Sequence, residues 1–339
     1  MRERLYRLLG MLILVASLVG GWFGFGYQSF VDAPLLVAEQ GEVILVRPGV
    51  SLTAVAQQLE TAGHISSARY FIWMARLSDS ARQIRAGEYR IEHGMTARQL
   101  LQAMVEGKVQ LYTLTLVEGW SFRQVMDAVR TSPYLVPTLT GLTDGEVMAR
   151  LGHPDAHPEG RFFPDTYHFP RGLSDAEFLQ RAYGQMNDVL SYEWDRRSEG
   201  LPLNTPEEAL TLASIIEKET AVASERAAIA GVFVRRLQKR MRLQTDPTVI
   251  YGMGLDFDGN LRRHDLITDT AYNTYTRHGL PPTPIAMPGR DSIHAALHPA
   301  PGEALYFVAR GDGSHHFSAT LEEHNRAVRY YQLGRGTPP

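Results

Sequence analysis

Thr205-Pro206-Glu207-Glu208-Ala209-Leu210-Thr211-Leu212-Ala213-Ser214-Ile215-Ile216-Glu217-Lys218-Glu219-Thr220 decides how the larger part of this chain folds. Thr205 as cap, Pro206 at the first helical position and Glu208 three residues after the cap make a strong helix start. At about 100° per residue, Leu212, Ile215, Ile216 and Glu219 fall on one stripe, with Glu217 and Lys218 on the opposite side. Two carboxylates two positions apart therefore meet different surroundings. Glu219, on the apolar stripe, is predicted to be desolvated, which disfavours its charged form and raises its pKa, as a general acid near neutral pH requires. The same placement also suits an acid paired with a buried Arg or capping a neighbouring helix.

Working outward, a second amphipathic helix is predicted from about Ser224 to Arg240, with Ile229, Val232, Phe233 and Leu237 on its buried side. Loops rich in Pro, Gly and Tyr follow, then a short helix near Leu321 to Leu333 and a tail at 334–339 expected to be disordered. Towards the N-terminus one pattern occurs three times: Gly49-Val50-Ser51, Gly94-Met95-Thr96 and Gly119-Trp120-Ser121. In each a Gly turn, an apolar residue and a hydroxyl cap precede a helical period and follow a short strand. The first two units, joined by a helix around Ser67 to Leu77, predict a small α+β domain at 41–110 that resembles the LysM-type fold known for glycan binding. The rest, 111–333, reads as a larger, mainly helical domain with short strands. The fold class is α+β.

The chain has 339 residues, enough for several modules, and opens with Arg2, Arg4 and Arg7 before an uncharged apolar run from Leu8 to Phe25. That run is long enough to cross a bilayer. Trp22, Phe23, Phe25 and Tyr27 stand at its far end, and no small-x-small cleavage site precedes Glu39. Residues 1–30 are therefore predicted to be a cytoplasmic stub and retained transmembrane anchor, with the rest of the chain outside the cytoplasm. The net charge of −3, without a long basic run, gives no footprint for nucleic acid. The chain has no Cys, which rules out thiol catalysis, disulfides and cysteine metal sites.

Phe163-Pro164-Asp165-Thr166-Tyr167, Arg242-Leu243-Gln244-Thr245-Asp246-Pro247-Thr248 and Ala271-Tyr272-Asn273-Thr274-Tyr275 combine amides, hydroxyls and aromatic rings. That set suits a sugar, whose hydroxyls take planar hydrogen bonds and whose ring faces stack. Asp165 and Asp246, each beside a Pro, equally suit turn shaping. His315, His316 and His324, with His294 and His298 at helical spacing, raise metal binding, but without an HExxH motif the expectation is no metal and no cofactor. There is no G-x-S-x-G elbow, and Ser214 and Ser224 suit packing or capping.

The runs Leu212 to Ala221, Met241 to Gly252 and Ala271 to Tyr275 resemble the YceG-like endolytic murein transglycosylases (MltG family), and the likeness extends from the anchor to about Tyr331. Glu159-Gly160-Arg161-Phe162-Phe163-Pro164-Asp165 shares it, with Arg161 and Phe163 where other members can carry Trp. The resemblance implies that Glu219 is catalytic and that Gln244, Thr245, Asp246, Tyr251, Asn273, Tyr275 and Asp165 bind substrate or support the site. It implies a lyase in the inner membrane, its catalytic domain in the periplasm. Such a lyase cuts the MurNAc–GlcNAc β-1,4 bond within nascent peptidoglycan strands, leaves 1,6-anhydro-MurNAc ends and contacts peptidoglycan synthases. A non-catalytic glycan-binding scaffold for the wall-synthesis machinery is the alternative from another class, and a hydrolytic muramidase is a third reading.

Overall fold

The computed structural model describes residues 2–335 and 337, with side chains from residue 6. The disorder expected of 334–339 falls partly on Gly336, Pro338 and Pro339, which lie outside the described residues, as do the side chains of Arg2 and Arg4. The chain is mixed α and β, mostly helical with short strands, and divides into two compact units: residues 1–112 with 168–172, and residues 113–167 with 173–339.

In the first unit, α1 (Arg2–Asp32) is apolar and long enough to span a membrane. β1 (Glu42–Val46), α2 (Leu52–Thr61), α3 (Ala68–Leu77), β2 (Gly87–Ile91) and α4 (Ala97–Glu106) follow. β1 and β2 pair antiparallel, with Ile44 opposite Tyr89. The end of α1 packs on α3: Phe23 lies 4.9 Å from Trp73, Phe30 lies 5.6 Å from Tyr70, and Phe30, Val31 and Leu35 join the buried core. Of the aromatics expected at a membrane interface, Trp22 and Phe25 are exposed, whereas Phe23 and Tyr27 face Tyr70.

The predicted hydroxyl caps are present. Ser51, Thr96 and Ser121 each accept a backbone N–H three residues on, and the glycines before them have φ of 78°, 82° and 76°. Thr96 and Ser121 form full capping boxes with Gln99 and Gln124.

β3 (Leu111–Thr115) and β4 (Thr166–Pro170) form a two-stranded sheet. The second unit continues with α5 (Phe122–Thr131), α6 (Asp144–Arg150), α7 (Asp175–Asp195), α8 (Pro206–Glu219), α9 (Arg226–Gln238), α10 (Asp246–Met253), α11 (Arg263–Ile267), α12 (Arg290–Leu297), the hairpin β5 (Tyr306–Ala309) and β6 (His315–Ser318), and α13 (Leu321–Tyr331). The region after Arg240, expected to be loops, thus holds three short helices and a hairpin. Its helices are too short to show a clear period, and the hairpin joins two strands of four residues.

α8 is the spine of the second unit. Thr205 caps it by accepting from the Glu208 N–H at 3.2 Å, and Glu208 reaches back to the Asn204 N–H at 2.5 Å. From Ala209 to Ile216 every residue is buried, because α7, α9, α10 and α12 pack around it. The predicted apolar stripe therefore has no exposed face opposite it. Even Glu217 is tucked in, accepting from the Gly289 N–H at 3.0 Å as the cap of α12, while Lys218 is exposed.

Candidate active site

Glu219 is the last residue of α8, so its side chain leaves the helix just beyond its buried stretch from Ala209 to Ile216 and opens into a cleft of about 500 Å³. Around it are Arg236, Gln244, Asp246, Tyr275, His315 and His324. The rigid helix fixes where the carboxyl sits, and the open end gives a ligand access to it.

One wall is the turn before α10. Thr245 donates its hydroxyl to Glu219 Oε1 in a short hydrogen bond. Its own N–H donates to Thr274 Oγ1 at 3.1 Å, and Thr248 Oγ1 donates to the Thr245 carbonyl at 2.8 Å. All three threonines are buried, so this hydroxyl network holds Thr245 against Glu219. Gln244 adopts a left-handed conformation, φ 51°, that turns the chain into this arrangement. For a residue with a Cβ such a conformation persists only where its surroundings impose it. Asp246 begins α10, and its Oδ1 accepts the Tyr275 hydroxyl at 2.5 Å.

The opposite wall is the β5–β6 hairpin with α9 and α13. Arg236 is buried and donates to the carbonyls of Leu305 at 2.6 Å, Leu243 at 2.8 Å and Arg242 at 3.2 Å, tying the Gln244 turn to the hairpin. His315 is held at two points by Glu225: Nδ1 lies 2.7 Å from Oε2, and its N–H donates to Oε1 at 2.9 Å. His324 stacks on Tyr306 at 5.2 Å, and its buried Nδ1 has no partner among the described residues.

Burial raises the pKa of Glu219, and the Asp246 carboxylate adds to the rise; the Thr245 hydrogen bond, His315 and Arg236 act the other way. The negative end of the α8 dipole also disfavours a charged carboxylate there. The net direction is upward, towards a protonated acid. Burial, then the bond to Asp246, likewise raise Tyr275, leaving it a neutral donor.

The structure thus gathers Glu219, Gln244, Thr245, Asp246 and Tyr275 around one cleft. Tyr251 lines a different, larger cleft of about 840 Å³, together with Lys218, Phe122, Tyr272 and Glu159. Its hydroxyl donates to Glu159 Oε2 at 3.0 Å, while the Phe122 N–H donates to Oε1 at 2.9 Å. Glu159 is 4% exposed, and burial pushes its pKa up to about 7 against these hydrogen bonds. Asn273 lines neither cleft. Its amide is buried, donating to the carbonyls of Asp265, Leu266 and Thr268 and accepting from the Tyr275 N–H at 2.8 Å, so it shapes the loop that carries Tyr275. Asp165 also lies outside both clefts, accepting from Gln185 Nε2 at 2.9 Å and from the Thr166 N–H at 2.7 Å.

Arg236, Glu225 and the role of His315 escape the sequence reading. Arg236 sits four residues after Val232 on the stripe read as buried, and a charge there was the available signal. It is buried, whereas Leu237, assigned to that stripe, is only half-buried. Glu225 and His315 are 90 residues apart, and no local pattern joins them.

The model of the YceG-like family matches residues 44–330. A protein of Bacillus subtilis (strain 168) named endolytic murein transglycosylase is 32% identical, over 93% of this chain and 91% of its own length. One of the same name from Streptococcus pneumoniae serotype 2 is 27% identical over 94% of this chain and 64% of its own length. A crystal structure of a yceG-like protein from Listeria monocytogenes, 29% identical, aligns with a TM-score of 0.52 over 85% of this chain and 99% of that one.

Proposed function

The chain belongs to the YceG-like family, and on that premise we propose that it is an endolytic peptidoglycan lytic transglycosylase with Glu219 as its acid and base. The observation that carries this is the Glu219 carboxyl: half-buried, raised in pKa by desolvation, hydrogen-bonded by Thr245 and open to a cleft. Protonated Glu219 donates to the glycosidic oxygen as the bond from C1 of N-acetylmuramic acid breaks. The resulting carboxylate then takes the proton of the C6 hydroxyl as that oxygen bonds to C1, closing a 1,6-anhydro ring. No water enters, and the nucleophile is already part of the substrate. Glycosidases that use water need a second carboxylate as base or nucleophile.

Gln244 and Tyr275 would face the sugar, Asp246 being held by Tyr275, and Tyr251 with the larger cleft would accommodate more of the strand. Asn273 and Asp165 act through the loops they shape. We further propose that α1 anchors the chain in the inner membrane, with the arginines cytoplasmic and the rest of the chain in the periplasm. Residues 41–110 are then a LysM-like glycan module, ahead of a catalytic domain at 111–333. Nascent strands and the synthases that extend them are the proposed partners.

Asp246 in the same cleft favours a hydrolytic muramidase as the second reading. The deciding experiment is mass spectrometry of muropeptides released from purified peptidoglycan by the full chain in detergent, beside Glu219→Gln. The full chain is needed because Phe30, Val31 and Leu35 belong to the first unit's core. Internal fragments ending in 1,6-anhydro-muramic acid from wild type alone are expected. Reducing ends would mean hydrolysis, and no products from either protein would mean a glycan-binding scaffold.

A further inference from the structure

On the second unit, among residues that do not line the cleft, α7 and the end of α12 bring Glu193, His294 and His298 together. One ligand atom from each lies within 4.8 Å of the other two. His294 and His298 are spaced i, i+4, so one helical turn places both rings on the same side of α12, with centroids 4.3 Å apart. Glu193 Oε2 approaches His294 Nδ1 at 2.9 Å from α7.

An ion pair between Glu193 and His294 accounts for only part of this arrangement. It leaves His298, its ring tilted 31° against the His294 imidazole, with no part in the pair. It also leaves Glu193, 5% exposed, with only His294 and an Arg290 guanidinium 3.6 Å away as side-chain partners among the described residues. His298 is oriented instead by Ser198, whose Oγ lies 3.4 Å from Nδ1 and whose N–H is fixed on the Leu297 carbonyl at 3.0 Å. A ring nitrogen held by a neighbour, leaving the other to bind, is the arrangement that metal-ligating histidines adopt.

We infer that Glu193, His294 and His298 form a binding site for one divalent first-row ion of the Zn²⁺ class, clipping α7 to α12. Two imidazoles and one carboxylate suit such an ion and leave its fourth position to solvent. Metal–ligand bonds of about 2.0–2.1 Å place tetrahedral ligand atoms roughly 3.3–3.5 Å apart. The 2.9 Å contact must therefore open slightly and the His298 ring close in. On binding, His294 coordinates through Nδ1 and carries its proton on Nε2, on a side chain that is 58% exposed. Arg290 swings away from Glu193. Because α12 packs on α8, the clip would brace the helix that carries Glu219 without touching the cleft. Sequence spacing showed the histidine pair but not Glu193, which comes from another helix about 100 residues earlier.

The test uses the tag-free full chain in detergent, titrated with Zn²⁺ against a chromophoric chelator and, separately, with Co²⁺ followed by visible absorption. One equivalent of Zn²⁺ is expected. Binding should weaken by more than about 10–100-fold, the loss typical of removing only a ligand's hydrogen-bond partner, in His298→Ala and in the exposed single variant His294→Ala. Wild type should also give the intense bands of four- or five-coordinate Co²⁺, and Zn²⁺ should raise its thermal midpoint but not that of His294→Ala/His298→Ala. If wild type binds no tighter than the double variant, or Co²⁺ keeps the weak spectrum of its hydrated ion, the site does not exist. Circular dichroism of the double variant controls for folding, and His294→Ala alone keeps the test decisive if the double variant is unstable.

Discussion

Replacing Thr245 by Val should move the pH dependence of the reaction rather than merely slow it. The Thr245 hydroxyl is the only side-chain donor hydrogen-bonded to Glu219 among the described residues, and it favours the charged carboxylate. A hydrogen bond to a charged group contributes about 1.5–3 kcal/mol. At 1.36 kcal/mol per pKa unit, its loss raises the Glu219 pKa by about 1 to 2 units. Valine keeps the shape, and the backbone bonds to Thr274 and Thr248 survive because they use the Thr245 N–H and carbonyl. A general acid must be protonated to donate, so activity falls as pH rises through the Glu219 pKa. In Thr245→Val that alkaline limb shifts upward by about 1 to 2 units, while Thr245→Ser, which keeps the hydroxyl, retains the wild-type limb. The assay is the initial rate of muropeptide release across pH 5 to 9. A uniformly lower rate with the limb unmoved would refute the coupling and reduce Thr245 to a packing residue.

Glu159 makes a stability prediction of definite sign. Its folded pKa of about 7 exceeds the ordinary 4.5, so the folded state holds its proton after the unfolded chain has released it. Stability is therefore lost as pH rises from about 4.5 to about 7, by about 3 kcal/mol at 1.36 kcal/mol per unit. Glu159→Gln cannot titrate, so its stability relative to wild type should improve by that amount over the window in urea denaturation; an offset that stays constant with pH would contradict the assignment. Gly160→Ala should cost about 2–4 kcal/mol, combining a left-handed backbone with overpacking. Gly160 has φ 78°, and an added Cβ would lie 2.5 Å from Pro284 Cβ. A loss below about 0.5 kcal/mol would show that Pro284 yields freely. Gln244→Gly, which removes a side chain from a left-handed position, should leave stability within about 1 kcal/mol of wild type yet lower muropeptide release at least tenfold. Unchanged release would take Gln244 out of substrate contact.

What the sequence showed clearly was whatever local chemistry imposes. Thr205 and Pro206 start α8, and Ser51, Thr96 and Ser121 cap their helices from a glycine turn. Helix periodicity misjudged the setting of α8, because a helix wrapped by four others can bury Ser214 and Thr211 as readily as Leu212. Ser214 is satisfied there by donating to the Thr211 carbonyl at 2.7 Å and accepting from the Ile285 N–H at 3.0 Å. The hairpin wall of the cleft was hidden for a different reason. Arg236 and the Glu225–His315 pair get their roles from segments distant in sequence, and their short flanking strands carry little alternation. Tyr251 and Asn273 belong to motifs that supply cleft residues, yet one faces another cleft and the other is consumed by loop carbonyls. Membership of a motif does not establish which way a side chain points.

Placing the acid at the end of a buried helix answers two requirements that pull against each other. A proton donor must be desolvated to hold its proton near neutral pH, yet it must reach a substrate that arrives from water. On the middle of α8 a carboxyl would be desolvated but sealed, as Ser214 is at 0% exposure. On a surface helix it would be reachable but solvated, with an ordinary pKa. The last turn of α8 supplies burial from the helix bundle on one side and the cleft on the other, and its dipole acts in the same direction as burial. Arg236 and His315 oppose that rise, which makes ionisation after proton donation less costly. An acid that must next serve as a base needs this balance: burial holds the proton until the glycosidic oxygen takes it, and Arg236, His315 and the Thr245 hydroxyl favour the carboxylate until it receives the next one.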